Sequence, residues 1–373
     1  MSNDYLERWS LAPDGAPAIT TTSKLLPVRV DRFSTGSAIK VSTHKYLQGN
    51  DGRPERMNYA DRLASKIETC GNPSVLGLDP RIEQMPKVVR ELADERAADK
   101  TDRIRRSIRI FHELVIDATA DIVPAVKLQL AFYEQYGVGG MQGYVDTLAE
   151  ARRANLITIA DGKRNDVPAT AEAYARAFLT PEAEFSADAV TISPYLGSDS
   201  MQPFIELAEE HHRGIYVLVK TSNPGSGEIQ DLSASGMPVY EKVCALVRQL
   251  GLSLVGKRGV SAVGAVVACT HPTAAARVRE CLPVEPLLVV GYGAQNGLAK
   301  NAALCFDRDG GGVLVNSSRG ITYSYRNPAA DLNELADVVR NNVVAMRTAL
   351  TSAVKQRQLK QHSTTSRMNP SPP

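Results

Sequence analysis

Two carboxylates flank one ammonium in the run Asp161-Gly162-Lys163-Arg164-Asn165-Asp166. That spacing could keep a lysine charged and aimed as an acid. The run follows the apolar segment 156–160 and precedes a helical stretch opening at Pro168. Side chains of an extended segment alternate faces, so Asp161 and Lys163 share one face, Gly162 opposes them, and Asp166 falls in the loop beyond. Lys127 closes another apolar run, 122–128, where a charge needs a partner. Taken alone, a DxKxxD string is most often a solvated turn with a surface ion pair. The apolar strand before it and the second lysine favour chemistry instead.

Elements able to position these groups recur along the chain. Eight short apolar runs, 75–78, 122–128, 156–160, 189–192, 215–219, 262–268, 287–290 and 313–315, read as strands. Helical patterns fall between them at 141–154, 169–178, 201–211, 239–250 and 272–281, with 328–349 after the last. Strict alternation implies parallel strands with right-handed crossovers. Eight units over some 280 residues fit a (β/α)8 barrel better than an open doubly wound sheet, and no GxGxxG follows the first strand. The expected division is an irregular extension over 1–56, one barrel domain over 57–352, and a disordered tail over 353–373 that is rich in Gln, Ser and Pro. The charged stretch around residues 90–106 reads as an insertion.

In such a barrel the functional groups sit at the C-terminal ends of the strands. Asp79 follows the first, Lys127 ends the second, Asp161 and Lys163 end the third, and Ser222 follows the fifth. Gln295 follows the seventh, while Ser318 and Arg319 follow the eighth. The loops after the last two strands are the usual phosphate site of these barrels, and an Arg fork matches phosphate geometry. Residues 220–236, dense in Ser, Gly and Asp, read as a closing lid.

These residues carry a resemblance. The Asp161–Asp166 run with Thr170, Val126-Lys127, Leu78-Asp79-Pro80, Thr221-Ser222-Asn223-Pro224-Gly225, Gly293-Ala294-Gln295 and Ser318-Arg319 resemble orotidine 5'-phosphate decarboxylase, in its longer, second bacterial-type group. The likeness spans about residues 57–350. It implies a homodimer that releases CO2 from orotidine 5'-phosphate to form UMP in pyrimidine biosynthesis, without metal or organic cofactor. Lys163 would be the acid, Asp161 would lie near the substrate carboxylate, and Lys127 would contact Asp161 and the ribose. Asp166 would keep Lys163 charged and reach into the neighbouring subunit's site. Asp79 and Thr170 would contact the ribose, Ser222 the pyrimidine amide edge, and Gln295, Ser318 and Arg319 the phosphate end. A magnesium-dependent sugar-phosphate enzyme of the same barrel superfamily and a silent nucleotide-binding barrel are the competing readings.

Composition narrows the class further. A formal net charge of +2, with no basic stripe interleaved with aromatics, gives no case for nucleic acid. Five scattered cysteines without a CxxC pair read as buried thiols of a reducing compartment, and the six histidines lack zinc-site spacing. No run approaches the ~18 apolar residues of a membrane span. The expectation is a cytoplasmic enzyme, with an organellar transit peptide left open by the Ser- and Thr-rich, acid-poor residues 1–55.

Overall fold

The computed structural model describes residues 57–293, 295–325 and 331–368, with side chains to position 361. The extension expected over 1–56 and the final residues 369–373 lie outside the described residues. Each apolar run supplies one strand: β1 (Ser74–Leu78), β2 (Ala125–Gln129), β3 (Ile157–Arg164), β4 (Ala189–Ile192), β5 (Gly214–Lys220), β6 (Val263–Ala268), β7 (Leu287–Val290) and β8 (Val313–Ser317). All eight pair in parallel in chain order, and β8 pairs back to β1 to close the barrel. Closure buries both faces of the strands, which explains why they read as continuous apolar runs instead of alternating ones.

Two strand boundaries differ from the sequence reading by three residues or more. Residues 122–124 belong to the turn after the helix Lys100–Asp117, with the Ile122 and Val123 amides bonded to Thr119 O, so β2 begins only after Pro124. Strand β3 runs on to Arg164, carrying Asp161 and Lys163 on strand backbone and leaving Asp166 in the loop beyond.

The charged stretch near 90–106 is helical. It forms the helices Lys87–Asp94 and Lys100–Asp117, the second being the crossover from β1 to β2. Its charges obscure an apolar face of Ile108, Phe111, Leu114 and Val115, which is buried. Asp99 caps its first turn by accepting the Asp102 amide at 2.9 Å.

Of the disordered tail expected over 353–373, residues 353–368 lie instead in the last helix, Leu332–Met368, and 369–373 lie outside the described residues. Leu335, Val339, Val343, Met346 and Leu350 recur every three or four residues and are buried. Beyond them, Arg357 donates to Ala303 O at 2.7 Å and Phe306 O at 2.6 Å, and Gln358 donates to Arg308 O at 3.1 Å. Long polar side chains capping the carbonyls of a preceding turn hold this end in place, a contact that composition does not reveal.

The end of the barrel opposite the mouth is closed by the helix Tyr59–Cys70, which is capped by Asn58 and by Gly71 in the left-handed region. Tyr59 and Tyr216 hydroxyls meet at 3.0 Å with no solvent exposure. Gly214, which opens β5, would carry a Cβ only 2.3 Å from Tyr59 Cδ1, so the ring needs a glycine there. Nearby, Asp188 accepts from Arg62 at 2.9 Å, Arg213 at 3.0 Å and the Thr158 amide at 3.0 Å, tying the entry of β4 to that of β3.

Removing one tyrosine hydroxyl strands the other in a dry site. Tyr216→Phe should therefore destabilise by about 1–3 kcal/mol, while Tyr59→Phe combined with Tyr216→Phe should cost less than the sum of the two single changes. Urea denaturation of the three variants and the wild type measures this, and strict additivity would show the hydroxyls to be uncoupled.

Candidate active site

The mouth of the barrel is organised around one carboxylate. Asp161 lies on β3 opposite Gln129 of β2 and is 5% exposed. Its Oδ2 accepts from Lys127 Nζ at 2.7 Å and Gln129 Nε2 at 2.9 Å. Its Oδ1 accepts from Lys163 Nζ at 2.6 Å and from the Thr191 hydroxyl at 3.0 Å. Four donors from three strands thus converge on two oxygens.

Burial by itself would raise the Asp161 pKa, but the Lys127 and Lys163 ammoniums outweigh it and hold the carboxyl well below the usual carboxylate range. Burial likewise opposes the charge on Lys127, whose side chain is 4% exposed. The Asp161 and Asp79 carboxylates prevail and raise its pKa above the usual lysine value. Asp79, just past β1, therefore feels the same cluster, and its Oδ1 is buried without a hydrogen-bond partner among the described residues. Lys163 differs from Lys127 in being 42% exposed along its side chain and so open to an incoming molecule.

The other expected residues fall around this cluster. Gly291, at φ +81° just after β7, marks a meeting point: a Cβ there would lie 3.1 Å from Thr270 Cγ2, 3.3 Å from Gln295 Oε1 and 3.4 Å from Ser222 Cβ. Ser222 and Gln295, 73 positions apart in the chain, are thereby brought together across the ends of β5 and β7. Ser318 Oγ is buried after β8 without a hydrogen-bond partner among the described residues, and Arg319 beside it is exposed. Gly77 lets β8 approach, since a Cβ there would sit 2.7 Å from Ser318 Cβ.

Asp166 and Thr170 are placed differently. Asp166 Oδ1 accepts the Val167 amide at 2.8 Å, and among the described residues it forms no ion pair with Lys163. Thr170 is exposed on the helix Pro168–Leu179. Among the described residues, neither side chain is hydrogen-bonded to the cluster.

The segment expected as a lid contains the short helix Gly227–Gln230 and a two-residue hairpin, Ser233–Ala234 with Met237–Pro238. Its base is clamped by Lys220, whose side chain is 2% exposed and whose Nζ meets Asp231 at 2.7 Å. Gln230 adds a reciprocal pair with Thr221, accepting its amide at 3.0 Å and donating to its hydroxyl at 2.8 Å.

Sequence reasoning missed Gln129, Thr191, Lys220 and Thr270. Gln129 had a usable signal, because it stands two residues after Lys127 on one strand and so shares its face. A lysine ending the apolar run of β5 was a second signal. Thr191 and Thr270 had none, since a threonine within or after a buried strand is unremarkable.

A parallel (β/α)8 barrel with a buried ammonium–carboxylate cluster at the C-terminal ends of its strands, and unpaired polar groups around it, is the architecture of a small-molecule enzyme. Residues 76–335 match the model of the orotidine 5'-phosphate decarboxylase / HUMPS family. The orotidine 5'-phosphate decarboxylase of Rhodopirellula baltica is 41% identical over 298 residues, covering 78% of this chain and 98% of the relative. That of Clostridium perfringens is 37% identical over 296 residues, covering 79% and 99%. The structure of Leishmania donovani OMP decarboxylase superposes with a TM-score of 0.59 at 29% identity, covering 79% of this chain and all of that one. The chain belongs to the orotidine 5'-phosphate decarboxylase / HUMPS family.

The two pKa shifts have opposite signs. The depressed Asp161 value contributes stability above the ordinary carboxylate pKa of about 4, lost as pH falls through the folded value; the raised Lys127 value contributes below about 10.4, lost as pH rises through the folded value. Between these limits the pair should give no pH dependence. Lys127→Met leaves Asp161 buried with one ammonium fewer, so it should cost about 3–5 kcal/mol at neutral pH, and the deficit relative to wild type should shrink as pH falls from about 7 to below about 4. Denaturant titrations across that range test this, and a flat, near-wild-type profile would contradict it.

Proposed function

We propose that this chain decarboxylates orotidine 5'-phosphate to UMP and CO2, with Lys163 delivering the proton. The reaction breaks the bond between C6 and the carboxyl carbon and leaves its electron pair on C6, with no adjacent carbonyl to delocalise it. Stabilisation must come from charge already in place. The observation that carries the reading is Lys163 Nζ, held 2.6 Å from Asp161 Oδ1 yet open to the mouth. Its ammonium would face C6, offset the developing charge, transfer one proton to the carbon and be reprotonated from solvent.

Asp161, committed to two ammoniums, would lie near the departing carboxylate, and Lys127 would contact the ribose. The array is close to neutral overall, which limits the penalty of holding ions in a closed site. Asp79 and Thr170 would bind the ribose and Ser222 the pyrimidine amide edge. Gln295, Ser318 and Arg319 would bind the phosphate, whose binding energy orders the reacting end. These roles follow the family motif at matching positions. The five cysteines are free thiols, which supports a cytoplasmic setting for an enzyme of pyrimidine biosynthesis; no described helix is long and apolar enough to cross a membrane.

Asp166 is bonded to its neighbour's amide and, among the described residues, not to Lys163, which leaves it free for the homodimer of the family pattern, in which it completes the partner's site. Subunit mixing separates the two arrangements. Lys163→Ala and Asp166→Asn chains, each inactive alone, should recover about one quarter of wild-type activity when mixed equally, since half the dimers then hold one intact site of two. No recovery would place Asp166 in its own chain's site.

Purified protein should consume orotidine 5'-phosphate and release CO2 equally with and without chelator. Lys163→Ala should abolish turnover while UMP still binds. Absence of CO2 release by the wild type refutes the proposal, and activity lost on chelation favours the magnesium-dependent alternative.

A further inference from the structure

We propose that Thr191 is a positioning residue for Lys163, setting the backbone conformation that aims the ammonium. The inference rests on the decarboxylase reading for its kinetic consequence, though not for its geometry. On the β2 side, β3 keeps regular register through Gln129 opposite Asp161. On the β4 side, Ala160 pairs with Val190 but the next pair is Arg164 with Ile192. Asp161, Gly162 and Lys163 therefore stand against the single residue Thr191. Such a bulge bends its strand and leaves ladder amides without a carbonyl partner.

Thr191 supplies what the ladder lacks. Its Oγ1 accepts the Lys163 amide at 3.0 Å and donates to Asp161 Oδ1 at 3.0 Å. One hydroxyl thus holds the backbone of the acid and the carboxylate that binds its ammonium, and its single proton fixes the direction of both bonds. Lys163 has φ +47°, a left-handed conformation that a long L side chain adopts only under constraint. Because the residue is in that region, its side chain folds back over the strand to meet Asp161. Regular alternation, the basis on which the two were expected to meet, does not apply at this bulge.

Thr191 has no solvent exposure and is part of β4, so a substrate at the mouth touches the groups it orients and not the hydroxyl it uses to orient them. Gln129 steadies the opposite oxygen of Asp161 at 2.9 Å but does not reach the Lys163 backbone. The two residues are therefore not equivalent. Loss of the Thr191 bonds should loosen the aim of Lys163 while leaving the phosphate and pyrimidine contacts intact.

The test compares Thr191→Val, which keeps the shape and removes the hydroxyl, with Thr191→Ser, which keeps the hydroxyl. Thr191→Val should lower kcat roughly 10- to 100-fold with KM within about twofold, since misplacement of a reacting group costs rate more than binding. Thr191→Ser should restore most of the rate. Unchanged kcat in the valine variant, or equal losses in both, overturns the proposal.

Hydrogen exchange at the Lys163 amide gives an arm that needs no activity. Exchange should be at least about tenfold faster in Thr191→Val than in wild type and Thr191→Ser, as expected for an amide released from its acceptor. Equal exchange in all three refutes the positioning role. A wild-type protein without turnover would sink the decarboxylase reading alone, and the exchange comparison would still decide on Thr191.

Discussion

An ionised carboxylate in a nearly water-free site is the constraint on which the mouth of this barrel depends. Asp161 is tolerable there because two ammoniums, an amide and a hydroxyl occupy its oxygens. The dependence runs both ways. Lys127, buried among strands, stays charged because Asp161 and Asp79 lie beside it. Lys163 is held at one end by the same carboxylate and presented at the other. Removing one charge does not subtract a contact from a list; it changes the state of those that remain.

The fold makes this cluster possible by dividing two tasks between its ends. Away from the mouth, Tyr59 with Tyr216 and Asp188 with Arg62, Arg213 and Thr158 fasten helices to strand entries. At the mouth, buried polar atoms of Asp79, Thr270, Asn316 and Ser318 have no hydrogen-bond partner among the described residues. Unpaired buried groups are unfavourable unless a ligand or water meets them. Among the described residues such atoms also occur at the strand entries, Ser74 Oγ and Arg213 Nε, but the four beside the charge cluster mark where a polar molecule is received. A rigid floor and an unsatisfied rim are complementary, since charged groups can be held in productive positions only if the strands bearing them do not shift.

Much of this was legible in the residues because barrel strands are apolar on both faces and a charge within them is conspicuous. Lys127 and the Asp161–Lys163 pair stood out for that reason, and the ends of β5, β7 and β8 could be located from the runs before them. What escaped notice was of two kinds. Lys100–Asp117 and the tail beyond 353 have surfaces whose charge or polarity hides a buried stripe or a few carbonyl contacts. The bulge opposite Thr191 depends on register between two strands, and no feature of either strand alone encodes it. Alternation predicted the right neighbours for Asp161 by a rule that fails locally, because Lys163 reaches its partner through a left-handed turn of the backbone.

The claim that Asp161 stays ionised while holding both lysines is open to direct observation. Carbon-13 NMR of the Asp161 side-chain carboxyl in the wild-type protein, followed from neutral pH downward, reports its charge. The carboxylate signal should persist unchanged to below about pH 4, the ordinary aspartate value. A titration midpoint above that value would mean that burial prevails over the two ammoniums, and the charge array described here would not exist.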